Sequence, residues 1–398
     1  MKELAPIGLT VYGRLEHTKK TVEALQKNTL AKESKLYIFS DGPKYGDEDK
    51  VKNMREYLKT IDGFKEVKIV ERLENDRIEN NRAGRKYLLE IYDKLIWMAE
   101  DVITAPGYLQ FMNDALDFYA KSRMVVNISG YCPPINIDKN YKKDYFALPR
   151  FSAWGVGLMS KYYKVDTEID KEIYFDILNN KTKVDDFNKK AGEEALNIMA
   201  MVEDGRIQAG DMQSTFWQVV DSKLTIYPIK SLVHNIGNDS SGVHMPTTNK
   251  WDVKELWDKT EDFEFSEDIE VDEHISNEHY NFYKLSNDKN KIENYAYYMQ
   301  SINEQLENIP IEDELIVYGF GAAGRNFYYT HRDNRNIVSI IDQNKVDTKV
   351  DDIYIANIQS VNIKKNTTIV ITVLKESEID KLVKYLNMLD KNLKIIHI

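Results

Sequence analysis

The first third of the chain alternates short β-branched runs with stretches of helical period. Residues 6–12 (PIGLTVY), 35–39 (KLYIF), 67–71 (VKIVE), 94–98 (KLIWM) and 125–129 (VVNIS) read as strands. Residues 18–25, 47–59, 83–92 and 107–119 read as helices. This alternation predicts an α/β fold, a largely parallel sheet with helices on both faces. In such sheets ligands bind outside the carboxyl ends of the strands. Asp41, Glu100 and Asp101 all fall at such ends.

From about 131 to 246 the pattern is less regular. Clusters stand out at 151–155 (FSAWG), 210–214 (GDMQS) and 234–237 (HNIG), and long irregular segments often form sites. Residues 260–283 carry no Lys or Arg and are dense in acids, which reads as a solvated stretch joining domains. A helix is expected over 289–307. The tail then restarts the α/β pattern, with strands at 314–318, 337–341, 367–373 and 393–396 and a helix at 376–389. The expected domains are 1–258, a linker and helix at 259–312, and a small Rossmann-like domain at 313–398.

The 398 residues are 42% hydrophobic and 11% aromatic, enough for packed cores. Lys and Arg number 54 against 65 Asp and Glu, a net charge of −11 that argues against a nucleic-acid binder. The one cysteine, Cys132, excludes an intrachain disulfide and a Cys-rich metal site, and it fits a reducing cytoplasm. No run approaches the roughly 20 apolar residues of a membrane span, and the N-terminus lacks a signal-peptide pattern. The expected location is the cytoplasm, at most at the inner face of its membrane.

Glu100-Asp101 after an apolar strand suits Mg²⁺ or Mn²⁺, which commonly bridges one or two carboxylates to substrate phosphates. Adjacent acids are also ordinary at strand ends. Asp41 in Ser40-Asp41-Gly42-Pro43 could accept from a base or ribose, and Asp-Gly-Pro is equally ordinary turn chemistry. Asp211 opens a helix and is either its N-cap or a general base. His234 and His244 flank a Gly-rich stretch as candidate metal or phosphate partners. In the tail, Gly319, Gly321 and Gly324 form GxGxxG between strand and helix. Asp342 ends the next strand about 20 residues on, where a ribose-binding acid would lie. A nucleotide in the tail and simple packing of the turn are both open.

The first 245 or so residues resemble bacterial glycosyltransferases of the GT-A fold related to N-acetylglucosaminyltransferase I. The likeness runs through residues 6–25, Phe39 to Pro43, Glu100-Asp101 with Thr104-Ala105-Pro106, residues 111–116 (FMNDAL), Ile128 to Tyr131, Ser152 to Gly155, and 231–237 (SLVHNIG) with Ser241 to His244. It implies a mixed-sheet donor domain, a nucleotide-sugar donor (UDP-linked) and Mn²⁺ or Mg²⁺. It implies that Asp101 and His244 hold the metal and the diphosphate. Asp41, Glu100 and Arg14 would meet the donor, Trp154 the acceptor, and Asp211 would be the base. The implied reaction moves a hexosyl or N-acetylhexosaminyl group, with inversion, to a glycan or lipid-linked glycan in bacterial surface polysaccharide synthesis. Two departures stand out: Ala99 where the family's acidic triplet opens with an acid, and the polar stretch Glu79 to Gly84 near the donor. The tail resembles small Rossmann-like modules appended to such enzymes. Two alternatives are an NAD(P)-dependent oxidoreductase or epimerase centred on the tail, which lacks a Tyr-x-x-x-Lys pair, and a non-catalytic nucleotide-sugar-binding protein, which Ala99 favours.

Overall fold

The computed structural model describes residues 3–163, 169–203, 205–239, 249–284, 295–364, 366–373, 375–390 and 392–397. In chain order the elements are β1 Ile7–Val11, α1 Leu15–Gln26, β2 Lys35–Ser40, α2 Glu48–Leu58, β3 Glu66–Glu71, α3 Arg77–Ile91, β4 Lys94–Ala99, β5 Val102–Thr104, α4 Tyr108–Phe118, β6 Val125–Ser129, β7 Tyr145–Leu148 and β8 Val156–Met159. There follow α5 Lys171–Leu178, α6 Lys181–Ala191, α7 Glu194–Glu203, α8 Gly210–Val220, β9 Leu224–Pro228, β10 Val233–Asn235, α9 Glu273–Phe282 and α10 Tyr295–Leu306. The tail adds β11 Glu314–Tyr318, α11 Ala322–His331, β12 Asn336–Ile341, β13 Lys349–Val350, β14 Ile353–Ala356, β15 Thr367–Ile371, α12 Glu376–Leu389 and β16 Lys394–Ile396. The chain clusters into two compact units, Met1–Thr167 with Ser214–Phe282, and Glu168–Gln213 with Tyr283–Ile398.

The α/β class expected from the sequence is what the protein has. The first unit is built on an eight-stranded mixed sheet of order β3-β2-β1-β4-β8-β6-β9-β7. Strands β1 to β4 pair in parallel, and β8 joins β4 and β6 antiparallel. Strands β1 and β2 and most of β4 are buried on both faces, which is why they read as continuous apolar runs. Alternation divides their side chains. Ile7, Leu9, Leu36, Ile38, Ile96 and Met98 enter one core, while Tyr37, Phe39, Leu95 and Trp97 enter the other. Helix α3 lies over the second core. Its N-cap Asp76 accepts from Ile78 N and Glu79 N, and it buries Asn80, Gly84 and Leu88 four residues apart. A Cβ at Gly84 would lie 2.7 Å from Trp97, and one at Gly8 would overlap the same ring, so two glycines make room for one indole.

Two expectations are corrected here. The acidic stretch taken as the start of a linker belongs with the first unit through Phe282. Several of its apolar residues turn inward. Phe263 is buried 5.2 Å from the Phe111 ring, and Phe265 packs on Phe118 and Tyr119, while Asp262 and Glu264 face water. The front domain drawn as one span, 1–258, is also interrupted, because Glu168–Gln213 clusters with the tail. Within that second unit Asn179 bonds Asn326 (3.2 Å) and Thr330 (3.1 Å), and Arg325 pairs with Glu203 (3.2 Å). The second unit's six-stranded sheet has order β13-β14-β12-β11-β15-β16 and is parallel except for β13.

Candidate active site

Register brings the candidate acids to one edge. Val11 lies opposite Ser40, and Thr10 opposite Ala99. The next residues, Tyr12, Asp41 and Glu100, therefore leave the sheet together at its carboxyl edge, where the topology favours a ligand. Asp41 N donates to Val11 O at 3.0 Å, which ties the first two ends to each other.

Arg14, Glu100 and Asp101 form one cluster. Arg14 Nε donates to Glu100 Oε1 at 2.8 Å, and Arg14 Nη2 donates to Asp101 Oδ2 at 2.8 Å. Glu100 Oε2 accepts from Tyr12 N at 2.7 Å, and Thr21 Oγ1 donates to the Glu100 carbonyl at 2.8 Å. Both carboxylates are buried, and Arg14 is partly so. Burial raises the Glu100 pKa from its ordinary value, against the pull of Arg14 and Tyr12 N. Burial lowers the Arg14 pKa, but Asp101 and Glu100 more than offset it and hold the guanidinium charged. Arg14 Nη1 is buried and has no hydrogen-bond partner among the described residues.

Strand β10 closes this cluster from the side. It runs antiparallel to β5 with Asn235 opposite Val102, and Ile236 N donates to Asp101 O at 2.9 Å. Gly237 then passes the acid pair. A Cβ there would overlap Asp101 Oδ2 and lie 3.0 Å from Arg14 Nη1. Gly237 N is fixed by Asn235 Oδ1 at 2.7 Å. Tyr12, Thr21 and Gly237 were not singled out from sequence. The one signal for Gly237 is its place in the Gly-rich stretch that follows His234.

Asp41 is buried at the same edge, and its carboxylate serves the chain itself. Oδ1 accepts from Gly42 N (2.9 Å) and Asp76 N (3.1 Å), and Oδ2 accepts from Asn75 Nδ2 (3.0 Å). These bonds fix the loop before α3, the turn role that Asp-Gly-Pro chemistry predicts. Trp154 is half-buried, edge-on to Tyr131 at 4.6 Å and to Trp251 at 6.1 Å. Asp211 lies in the first turn of α8, on the part of the chain that clusters with the second unit. His244 lies outside the described residues. His234 sits on β10 opposite Ile103.

In the tail, Gly319 has φ +95° and Gly324 packs against the Gly319 carbonyl, so these glycines shape the turn from β11 into α11. Asp342 Oδ2 accepts from Phe320 N at 2.8 Å, and Oδ1 accepts from Asn344 N at 2.9 Å. Thr372 Oγ1 donates to Gly319 O at 2.6 Å. Gly321 precedes α11 as its N-cap. The acid expected to hold a ribose thus braces the loop, and these bonds support packing of the turn.

Among the described residues no group of three or more His, Cys, Asp or Glu gathers around a metal-sized space. Glu100 and Asp101 nonetheless suit a hard cation that arrives with phosphate. Such ions use one or two carboxylates and complete their shells from substrate and water rather than from a full protein cage. The pair already holds one positive charge, that of Arg14. Among the described residues no helix is long and apolar enough to cross a membrane. A shallow cavity of about 500 Å³, lined by Glu3, Tyr92, Lys94 and Asp117, lies at the opposite ends of β1 and β4.

No protein-family model matches the chain, and no curated protein matches it. Solved structures similar to it include GalNAc-T7 with UDP, GalNAc and Mn²⁺, with TM-score 0.34 and 10% identity over 57% of this chain and 43% of that one. Another is the mannosyltransferase PcManGT from Pyrobaculum calidifontis in complex with GDP-Man and Mn²⁺, with TM-score 0.32 and 8% identity over 55% of this chain and 70% of that one. A third is S. aureus TarS 1-349 in complex with UDP-GlcNAc, with TM-score 0.33 and 8% identity over 58% and 57%. The chain spans 33% of the TarS chain and 43% of the GalNAc-T7 chain. Likeness this weak assigns no role to any residue.

Proposed function

We propose that this protein is a glycosyltransferase of the GT-A type that moves a sugar from a nucleotide-sugar donor, UDP-linked, to a hydroxyl of a glycan acceptor. The observation that carries the reading is the buried Arg14–Glu100–Asp101 cluster at the carboxyl edge of β1 and β4. Its basic and acidic groups suit a nucleoside diphosphate and its counter-ion. Glu100 and Asp101 would hold Mn²⁺ or Mg²⁺. When bound, that ion neutralises the departing diphosphate. The polymer made would be a bacterial surface polysaccharide. Asp211 as base rests on its place in the order of the resembled motifs, and Trp154 as acceptor platform rests on the same ground.

The test is a panel of UDP- and GDP-sugars screened by thermal shift with Mn²⁺, followed by assay of released nucleoside diphosphate. A selective stabilising donor and acceptor-dependent release are expected. Asp101→Asn should cut turnover roughly a hundredfold or more with circular dichroism unchanged. A chain that no nucleotide sugar stabilises refutes the reading. Single displacement with inversion is checked from the anomeric configuration of the first product by NMR. Ala99 favours a second reading, a binding protein without turnover. Tight donor binding with neither transfer nor hydrolysis would establish it.

A further inference from the structure

We propose that Arg14 and a divalent cation compete for the same two carboxylates, so that the cation binds well only together with a nucleoside diphosphate, which takes over the released guanidinium. The inference rests on the glycosyltransferase reading and adds an order of binding to it. Arg14 commits Nε to Glu100 and Nη2 to Asp101, each at 2.8 Å. Those two contacts occupy the oxygens Glu100 Oε1 and Asp101 Oδ2, and Tyr12 N occupies Glu100 Oε2. A hard cation that takes both carboxylates must share or displace these contacts. A +2 ion entering beside a fixed guanidinium would meet like charge at close range, so the guanidinium must turn away.

The guanidinium has somewhere to turn. Nη1 is buried without a partner among the described residues, a strong donor already lacking an acceptor. Diphosphate oxygens are the acceptors for which a planar guanidinium is suited, two bonds at a time. Arg14 stands just before α1, and its side chain is 24% exposed, so it reaches solvent on one side. Gly237 on the other side adds no side chain, which would crowd both Nη1 and Asp101 Oδ2. Without nucleotide, Arg14 is the counter-ion of the acid pair. With nucleotide and metal, the metal takes that place and Arg14 pairs with the diphosphate. By linkage, UDP must then raise the affinity for Mn²⁺ by the factor by which Mn²⁺ raises the affinity for UDP.

The experiment measures Mn²⁺ binding to the full chain by electron paramagnetic resonance, with and without UDP, and UDP binding by calorimetry with and without Mn²⁺. The wild type should bind Mn²⁺ at least tenfold tighter with UDP present. Arg14→Met should bind Mn²⁺ alone several-fold tighter than wild type, bind UDP with Mn²⁺ at least tenfold weaker, and lose most of the coupling. Arg14→Lys, which keeps the charge but cannot bridge both carboxylates, should fall between. Its melting temperature, with that of the methionine variant, shows that both are folded. Three results would overturn the proposal: wild type binding Mn²⁺ equally with and without UDP, Arg14→Met leaving Mn²⁺ affinity unchanged, or UDP binding unaffected by a chelator. Where calorimetry shows UDP bound in these cases, the glycosyltransferase reading survives. If UDP and GDP both fail to bind under every condition, that reading falls as well.

Discussion

A methyl group at position 237 would overlap the Asp101 carboxylate and stand 3.0 Å from Arg14 Nη1. The backbone there has little freedom to retreat, because Ile236 N is bonded to Asp101 O and Gly237 N to Asn235 Oδ1. Gly237→Ala should therefore push the acid pair out of line with Arg14. We expect about 1–3 kcal/mol of destabilisation in urea and a loss of UDP affinity larger than that from any exposed substitution. Unchanged UDP affinity with full stability would mean that the strand end yields and the cluster does not depend on it. At this scale the sequence revealed the acids better than their partners. Glu100 and Asp101 can be read as two acids closing an apolar run, and their burial beside Arg14 is what sets them apart from an ordinary strand end. The Tyr12 amide is invisible until β1 is laid beside β4, and Gly237 until β10 is laid beside β5, since their part is played by backbone and by the lack of a side chain.

Trp97 shows how an element is positioned by what neighbouring elements omit. Its ring fills the space over Gly8 on β1 and under Gly84 on α3, and its indole N–H donates to Asn81 Oδ1 at 3.1 Å. Helix α3 can thus approach the ends of β2 and β4, and Asp76 at its start reaches Asp41. The polar stretch Glu79 to Gly84, which departs from the resembled pattern, is in part this packing face: Asn80 is buried and donates to Phe39 O at 3.1 Å. Gly84→Ala should cost about 1–3 kcal/mol by overpacking, and the cost should shrink in a Trp97→Phe background. Equal costs in both backgrounds, read from urea midpoints, would place the strain elsewhere. The same packing explains what was legible. Strands β1, β2, β4, β11 and β15 read clearly because both faces are covered and the run is unbroken. Strands β7 and β8 are four residues each, too short to show a period. Helix α6 was missed because most of its residues are polar, and it is held by Val184, Phe187 and Ala191 along one side. The acidic stretch misled because its charge count hid the inward alternation of Phe263 and Phe265.

Each unit carries a histidine that folding forces to stay neutral, so the chain's tolerance of acid depends on more than its net charge of −11. In the second unit His331 faces Asn303 Oδ1 at 3.0 Å, and burial, aided by Arg335, lowers its pKa to about 4. In the first unit His279 is buried, and burial with nearby Arg150 pushes its pKa well below the ordinary value of 6.5. When the chain unfolds, both rings regain that ordinary value and take up a proton. As pH falls from 6.5 toward 4 the unfolded chain therefore binds protons that the folded chain refuses, and stability drops. For His331 the slope approaches, at most, about 1.4 kcal/mol per pH unit, and it levels off below about 4. The carboxylates held low by ion pairs, such as Glu16 beside Lys19, start from the ordinary value of 4.5. Their loss comes mostly below that value, while Glu100 and Asp114, raised by burial, act in the opposite sense, so the decline in the upper part of the window comes from the histidines. Denaturant unfolding of the full chain at pH 7.0, 6.0 and 5.0 should show this decline. His331→Gln, which keeps a polar partner for Asn303 and cannot titrate, should flatten it. Two units that unfold separately would sharpen the result, because only the transition of the second unit should lose its pH dependence in that variant. If the slope between pH 6.5 and 5 persists undiminished in His331→Gln, the ring is not held neutral by this packing, and the acid sensitivity of the second unit has another source.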